Sequence, residues 1–239
     1  MKYNLLICSD THEAAPGIIP PPDTRCWLHA GDFYNNKDIA SSDDESDAQY
    51  ADTIGALEGG EAYQWFKSFK MPIYSVRGNH DGHDAWGFFR TVQDITGKVA
   101  RVTPELLVAG IGWHGRNYND LPSEANFTDV CSTLSGTVRR LRKPGDMLIL
   151  LTHYPAYAPP VAKNQEGTFT TLRELAGSIK PVLIIQGHIH QWAGSQYDVL
   201  LDSKRVLVAN PGGFGMAVSV DPAKGSVSIA GQPGGRAGH

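Results

Sequence analysis

Cysteine is scarce in this chain, and none of its three, Cys8, Cys26 and Cys131, forms a Cys-x-x-Cys pair. A disulfide framework or a thiolate metal cluster therefore has no basis here. Cys8 and Cys26 fall in apolar, strand-like runs and read as buried, inert thiols. An excess of positive charge is missing too. Lys and Arg number 21 against 25 Asp and Glu, for a net charge of -4 and a pI near 6.1. Nothing global then attracts nucleic acid or an anionic membrane surface. No apolar run reaches transmembrane length, and the one in "MKYNLLICSDTHE" is too short for the core of a signal peptide. No internal repeat is visible. These absences leave a cytoplasmic enzyme or binding protein with no membrane partner and no expected nucleic-acid partner.

What is present is an alternation of short β-branched runs with longer helical segments, which argues for an α/β fold. Strands are expected at Tyr3 to Cys8, Cys26 to Ala30, Ile73 to Val76, Leu106 to Ile111, Met147 to Leu151 and Val182 to Ile185. Helices are expected at Ala48 to Phe69, Asp84 to Ile95, Ser123 to Leu141 and Thr168 to Ile179. Past Gly194 the pattern changes to closely spaced strands joined by "DSK" and "DPAKG" turns. An early parallel-type sheet followed by hairpins suggests two packed sheets with helices outside. A single domain over 1–230 is expected, with an acidic loop insertion around 35–50 and a flexible Gly-rich tail over 231–239.

The chemistry lies at the end of each apolar run. "YNLLICSDTH" ends in Asp10 and His12, and "CWLHAGD" ends in Asp32. "PIYSVRGNHD" ends in Asn79, His80 and Asp81, "MLILLTH" in His153, and "VLIIQGHIH" in His188 and His190. A lone Gly-Asp or Thr-His is most often a turn. Five such endings, all at the carboxyl ends of strands, are hard to reach by chance, and that rim is where open α/β sheets bind ligands. Imidazole nitrogens with carboxylate and amide oxygens suit Mn, Fe, Ni or Zn. Even with His80 and Asp81 set aside, seven candidate ligands exceed what one ion needs, so two divalent ions are implied. Such a pair, about 3.5–4 Å apart, clamps an in-line displacement at phosphorus and acidifies a bridging water. Because side chains alternate along an extended chain, His188 and His190 point the same way and let one strand end serve both ions.

In this order, "SDTH", "GD", "GNHD", "TH" and "GHIH" resemble the signature motifs of the calcineurin-like metallophosphoesterase superfamily. The stretch ending "GHIHQWAG…VLVANPGG" resembles its compact bacterial and archaeal phosphoesterases. The resemblance implies a four-layer α/β/β/α sandwich with a dinuclear site at the strand ends. It implies Asp10, His12 and His190 on the first metal, Asp32 bridging, and Asn79, His153 and His188 on the second. His80 is left as general acid on the leaving oxygen, a task suited to an imidazole near neutral pH. Asp81 either orients His80 or caps the turn.

The expected activity is hydrolysis of a small phosphodiester, such as a cyclic nucleotide, by a metal-bridging hydroxide, with manganese the first choice of metal. A phosphomonoesterase of metabolites or phosphoproteins is the alternative, ahead of a nuclease or a non-catalytic scaffold. Candidates for touching substrate are Asn35, Arg77, His114 and Asn117, while His29 reads as packing or support and Trp113 as packing. Monomer and dimer are both open.

Overall fold

Runs such as "LLVAGI" and "MLILL" are apolar at every position, so the strands they form must be covered on both faces. The computed structural model describes residues 2–12, 14, 17–33, 64, 68, 70–81, 91–113, 123–162 and 167–229. In chain order its strands are β1 (Tyr3–Cys8), β2 (Thr24–His29), β3 (Ile73–Ser75), β4 (Val92–Asp94), β5 (Val99–Thr103) and β6 (Leu106–Ile111), followed by β7 (Met147–Thr152), β8 (Leu183–Ile185), β9 (Ser195–Leu201), β10 (Lys204–Asn210), β11 (Met216–Asp221) and β12 (Ser226–Ile229). Two α-helices are described over their length, α1 (Glu124–Leu141) and α2 (Thr170–Ile179), and a 3-10 turn spans His190–Trp192.

The strands form two mixed sheets, ordered β12-β11-β1-β2-β3-β4 and β5-β6-β7-β8-β10-β9. Each holds four parallel strands. In the first sheet β1 to β4 run to the edge, with β11 and β12 added by antiparallel pairing on the other side. In the second, β6, β7, β8 and β10 are central between antiparallel β5 and β9. Alternate residues send Leu5, Ile7, Leu28 and Val76 of one sheet against Val108, Ile149, Leu151 and Ile185 of the other, forming the inter-sheet core. The other face of the second sheet, with Leu107, Leu148, Leu150 and Val208, packs under Phe127, Leu134 and Val138 of α1 and Leu172 and Leu175 of α2. Leu6, Trp27 and Ile73 point away from the inter-sheet core and are fully buried, so the first sheet is covered on its outer face as well. The fold is therefore an α/β sandwich of two mixed sheets with flanking helices.

α1 opens at Ser123, whose N–H donates to Asn126 Oδ1 at 2.8 Å. α2 is capped from outside itself. Phe169, at its N-terminus, has no capping side chain, and the Glu124 carboxylate accepts from Thr170 N (2.6 Å) and Thr171 N (2.8 Å) instead.

Two expectations change. The helix foreseen over Asp84 to Ile95 ends in strand, because Val92–Asp94 pairs in parallel with the buried β3, and main-chain pairing with a core strand outweighs the helical spacing of its apolar residues. Residues 84–90 lie outside the described residues. β5 was not foreseen, because its residues are half-buried on a sheet edge and lack a continuous apolar run. Of the helix expected over Ala48 to Phe69, positions 64 and 68 are described and helical. The acidic segment around 35–50 and the tail over 231–239 lie outside the described residues. Among those residues no helix is long and apolar enough to cross a membrane.

Candidate metal centre

All five motif-bearing segments leave their strands at one rim, and several leave by a sharp reversal. Asp10 (φ 51°), His12 (φ 44°), Asp32 (φ 57°) and His188 (φ 69°) hold left-handed backbone. For non-glycine residues that conformation costs of order 1–3 kcal/mol each, and it persists where the surroundings over-determine it. The close approach of two loops shows how tightly they are determined. Gly31 has φ +92°, and a Cβ there would sit 2.6 Å from Gly78 N, while a Cβ on Gly78 would overlap the Asp32 carboxylate.

The structure brings the seven candidate ligands into two adjoining groups. In the first, His12 Nε2 and His190 Nε2 are 3.1 Å apart, and Asp10 Oδ1 lies 3.6 Å from His190 Nε2. In the second, His153 Nε2 and His188 Nδ1 each lie 3.0 Å from Asn79 Oδ1, and Asp32 Oδ2 is 3.4 Å from His153 Nε2. Within Asp10, His12 and His190, and within Asp32, His153 and His188, ligand atoms all lie within 4.8 Å of one another.

The protonation state of the second group is decided by its surroundings. His153 Nδ1 lies 2.9 Å from the Ala30 carbonyl, which only accepts, so Nδ1 carries the hydrogen and Nε2 the lone pair. That lone pair faces the oxygens of Asn79 and Asp32, which are acceptors too. Burial holds His153 below its ordinary value, against the pull of Asp10, and so keeps Nε2 unprotonated. Burial, then His153, His190 and His80, push His188 down to about 3. Burial raises Asp32 well above the usual carboxylate range, and Asp81 and Asp10 add repulsion. Imidazole lone pairs converging with a carboxylate whose charge is disfavoured until a cation offsets it are what a divalent cation satisfies, and neutral imidazoles are the form that ligates. The residues therefore fit two metal ions.

His80 stands beside both groups. Its Nε2 is 4.0 Å from Asp32 Oδ2, its ring meets His12 edge-on at 4.9 Å between centroids, and its backbone N–H donates to Asp32 Oδ1 at 2.8 Å. Asp81 is fully buried. Its Oδ2 accepts from Asp32 N (2.8 Å) and Gly78 N (2.8 Å), and its Oδ1 from Phe33 N (2.9 Å). These bonds describe a cap that ties the Asp32 loop to the Asn79 loop.

Of the substrate candidates, Arg77 is described, and its Nε lies 3.4 Å from Asp94 Oδ2, so its charge is matched by β4. Asn35, His114 and Asn117 lie outside the described residues. Trp113 is buried in the core beneath α1. His29 is buried under the site: its Nδ1 accepts from Gly31 N (3.1 Å), which leaves Nε2–H for Thr11 Oγ1 (3.2 Å). It thereby braces the Asp10–His12 and Asp32 loops. Thr11 and the Ala30 carbonyl went unremarked in the sequence. Thr11 had a signal, lying between two candidate ligands, whereas a carbonyl's role has no sequence signature.

A family model described as calcineurin-like phosphoesterase matches residues 3–192. A search of curated proteins finds no match. Among solved structures, TT1561 of Thermus thermophilus is similar in fold, with a TM-score of 0.54 and 14% identity over 97% of this chain and 99% of that one. A dimetal phosphatase from Danio rerio gives 0.55 and 10% over 90% and 92%. GAP50, the anchor in the inner membrane complex of Plasmodium, gives 0.56 and 10% over 98% and 86%. At these identities the likeness carries the fold alone. One fold serving a phosphatase and an anchor means that function must be argued from the site.

Proposed function

The chain belongs to the calcineurin-like phosphoesterase family, and from that premise we propose that it hydrolyses a small phosphodiester, such as a cyclic or other small nucleotide, with His80 as general acid. The observation that carries this reading is the face-to-face meeting of lone pairs at His153 Nε2, Asn79 Oδ1 and Asp32 Oδ2, beside an imidazole outside both ligand groups. In this reading Asp10, His12 and His190 hold one divalent cation, Asn79, His153 and His188 hold the other, and Asp32 stands between them. Bound cations supply Lewis acidity and a water acidified towards neutral pH. Manganese is the proposed metal, and the same donors accept iron, zinc or nickel.

The chain's own residues supply position and protons. The Ala30 carbonyl keeps the His153 lone pair aimed inward. The Asp32 carboxylate, held by the His80 N–H, fixes the loop that carries the acid. The His80 ring, packed edge-on against His12, delivers a proton to the leaving oxygen. The three cysteines are free and buried, which suits the proposed cytoplasmic setting.

The test compares manganese-loaded protein on bis(p-nitrophenyl) phosphate and p-nitrophenyl phosphate, each with wild type and His80→Ala. A diester preference, together with a loss of about 10²–10⁴ in kcat at unchanged metal content, is expected. A monoester preference would replace the diesterase reading. Loss of metal along with activity would remove His80 from the acid role.

A further inference from the structure

Beside the first ligand group lies a cleft of about 450 Å³, between the end of β1 and the Asn210–Gly213 turn that follows β10. Asp10 and His190 form one wall, so the cleft is continuous with the metal centre. We propose that it receives the organic substituent of the phosphoester, and that this substituent is a planar, uncharged, nucleobase-like ring carrying an N–H or O–H donor. The inference rests on the phosphoesterase reading for the placement of phosphate at the neighbouring ligands.

Three observations choose that occupant. The first is charge. Among the described lining residues none is Lys or Arg, and Asp10 and His190 are the titratable ones. Beyond the cation that Asp10 and His190 would hold, a further phosphate would meet no Lys or Arg among these residues, so a neutral occupant is favoured over the chain of a nucleoside di- or triphosphate.

The second is shape. Phe214, on the loop after Gly213, lines the cleft yet leaves 72% of its surface exposed, and Ile189 and Ala14 supply further apolar wall. A large aromatic left open beside a catalytic centre is a stacking platform for a flat ring. The loop that presents it packs closely against its surroundings: Gly215 (φ +74°) lies against Ile18, and a Cβ there would approach Ile18 Cγ2 to 2.8 Å.

The third is hydrogen bonding. Ser9 Oγ and Asn210 Oδ1, on two lining residues, are buried and have no hydrogen-bond partner, although Asn210 Nδ2 donates to Ser195 Oγ at 2.8 Å. A buried polar atom left unpaired costs about 1–3 kcal/mol. Asn210 Oδ1 is closed to solvent, so a small turn of the Asn210 amide on binding would bring it to an exocyclic amine or ring N–H in the cleft. A purely aliphatic substituent satisfies neither the acceptor nor the stacking face.

The test uses two readouts. In the first, kcat/KM is measured on bis(p-nitrophenyl) phosphate and on methyl p-nitrophenyl phosphate, which share a leaving group and differ in the second substituent. Wild type should prefer the aromatic ester, and Phe214→Ala should lower that preference about two- to tenfold, the range for loss of one aromatic pair. Because Phe214 is exposed, the truncation removes no core packing. Leu200→Ala, an exposed apolar change on β9, should leave the preference where it is. In the second, equilibrium dialysis measures adenosine binding to the metal-loaded protein, which requires no turnover. Wild type should bind adenosine, and Phe214→Ala should bind it about two- to tenfold more weakly. Adenosine that does not bind, or binds both proteins equally, overturns the proposal, as does an unchanged ester preference. Hydrolysis of neither ester alongside Phe214-dependent adenosine binding would sink the phosphoesterase reading and keep the cleft.

Discussion

Replacing Asp81 by Asn separates the two roles its sequence position allows. The carboxylate is fully buried and accepts three main-chain N–H groups, from Asp32, Gly78 and Phe33, at 2.8–2.9 Å. An asparagine with its amide oxygen in place of Oδ2 keeps the Asp32 and Gly78 bonds. Its NH2 then faces the Phe33 N–H, donor against donor. One charge-assisted bond worth about 1.5–3 kcal/mol is lost, and a buried N–H is stranded at a further cost of about 1–3 kcal/mol. Relief of the repulsion that helps raise Asp32 offsets part of this. The expected net loss is about 2 kcal/mol, a large fraction of the roughly 5–15 kcal/mol that typically holds a domain folded. Urea unfolding of the metal-free proteins at pH 7 reads it as a lowered midpoint at unchanged slope. Since the two retained bonds still join the ligand loops, metal content at saturating manganese should match the wild type. The reasoning fails if the midpoint does not move. It fails differently if the midpoint holds while the acidic or basic limb of the kcat profile shifts, because Asp81 would then be acting on the His80 proton.

Two further outcomes concern pH and capping. Burial, then His153 and His12, holds His29 at about 3, and burial, then His153, holds His188 at about 3, against an unfolded value near 6.5. Below pH 6.5 the unfolded chain takes up protons that the folded chain refuses, so stability falls with pH, by up to about 1.4 kcal/mol per unit for each histidine, until about pH 3. A urea midpoint of the metal-free protein that stayed flat from pH 7 to pH 5 would contradict this. Burial acts to raise Glu124, but the Thr171 hydroxyl and the Thr171 and Thr170 N–H groups outweigh it and leave the carboxyl below its ordinary value. Its stabilisation is therefore present above that ordinary value and lost as pH falls through the folded one. Glu124→Ala should cost about 1 kcal/mol at pH 7, as loss of a helix cap does, and the gap to wild type should close in acid, as thermal unfolding would show.

Much of this molecule is set by local pattern alone. Continuous apolar runs at 5–8, 106–111 and 147–151 can be strands only if both faces are covered, which already demands a sandwich. Polar residues that interrupt such runs at their carboxyl ends announce a rim site, so Asp10, Asp32, Asn79, His153 and His188 are readable from residue order alone. What neighbours decide is a different matter. Val92–Asp94 becomes strand because β3 offers it a ladder, a contact no local spacing encodes. Asp81 caps because the N–H groups of Asp32 and Phe33, from a distant loop, point at it beside that of the nearby Gly78, and Glu124 caps a helix that begins 46 residues further along the chain. Arg77 is drawn to Asp94 on an adjoining strand. Residue type and order set which groups reach the rim. Where hydrogens point and which lone pairs meet depends on backbone direction across long separations, and that exists only once the sheets have packed.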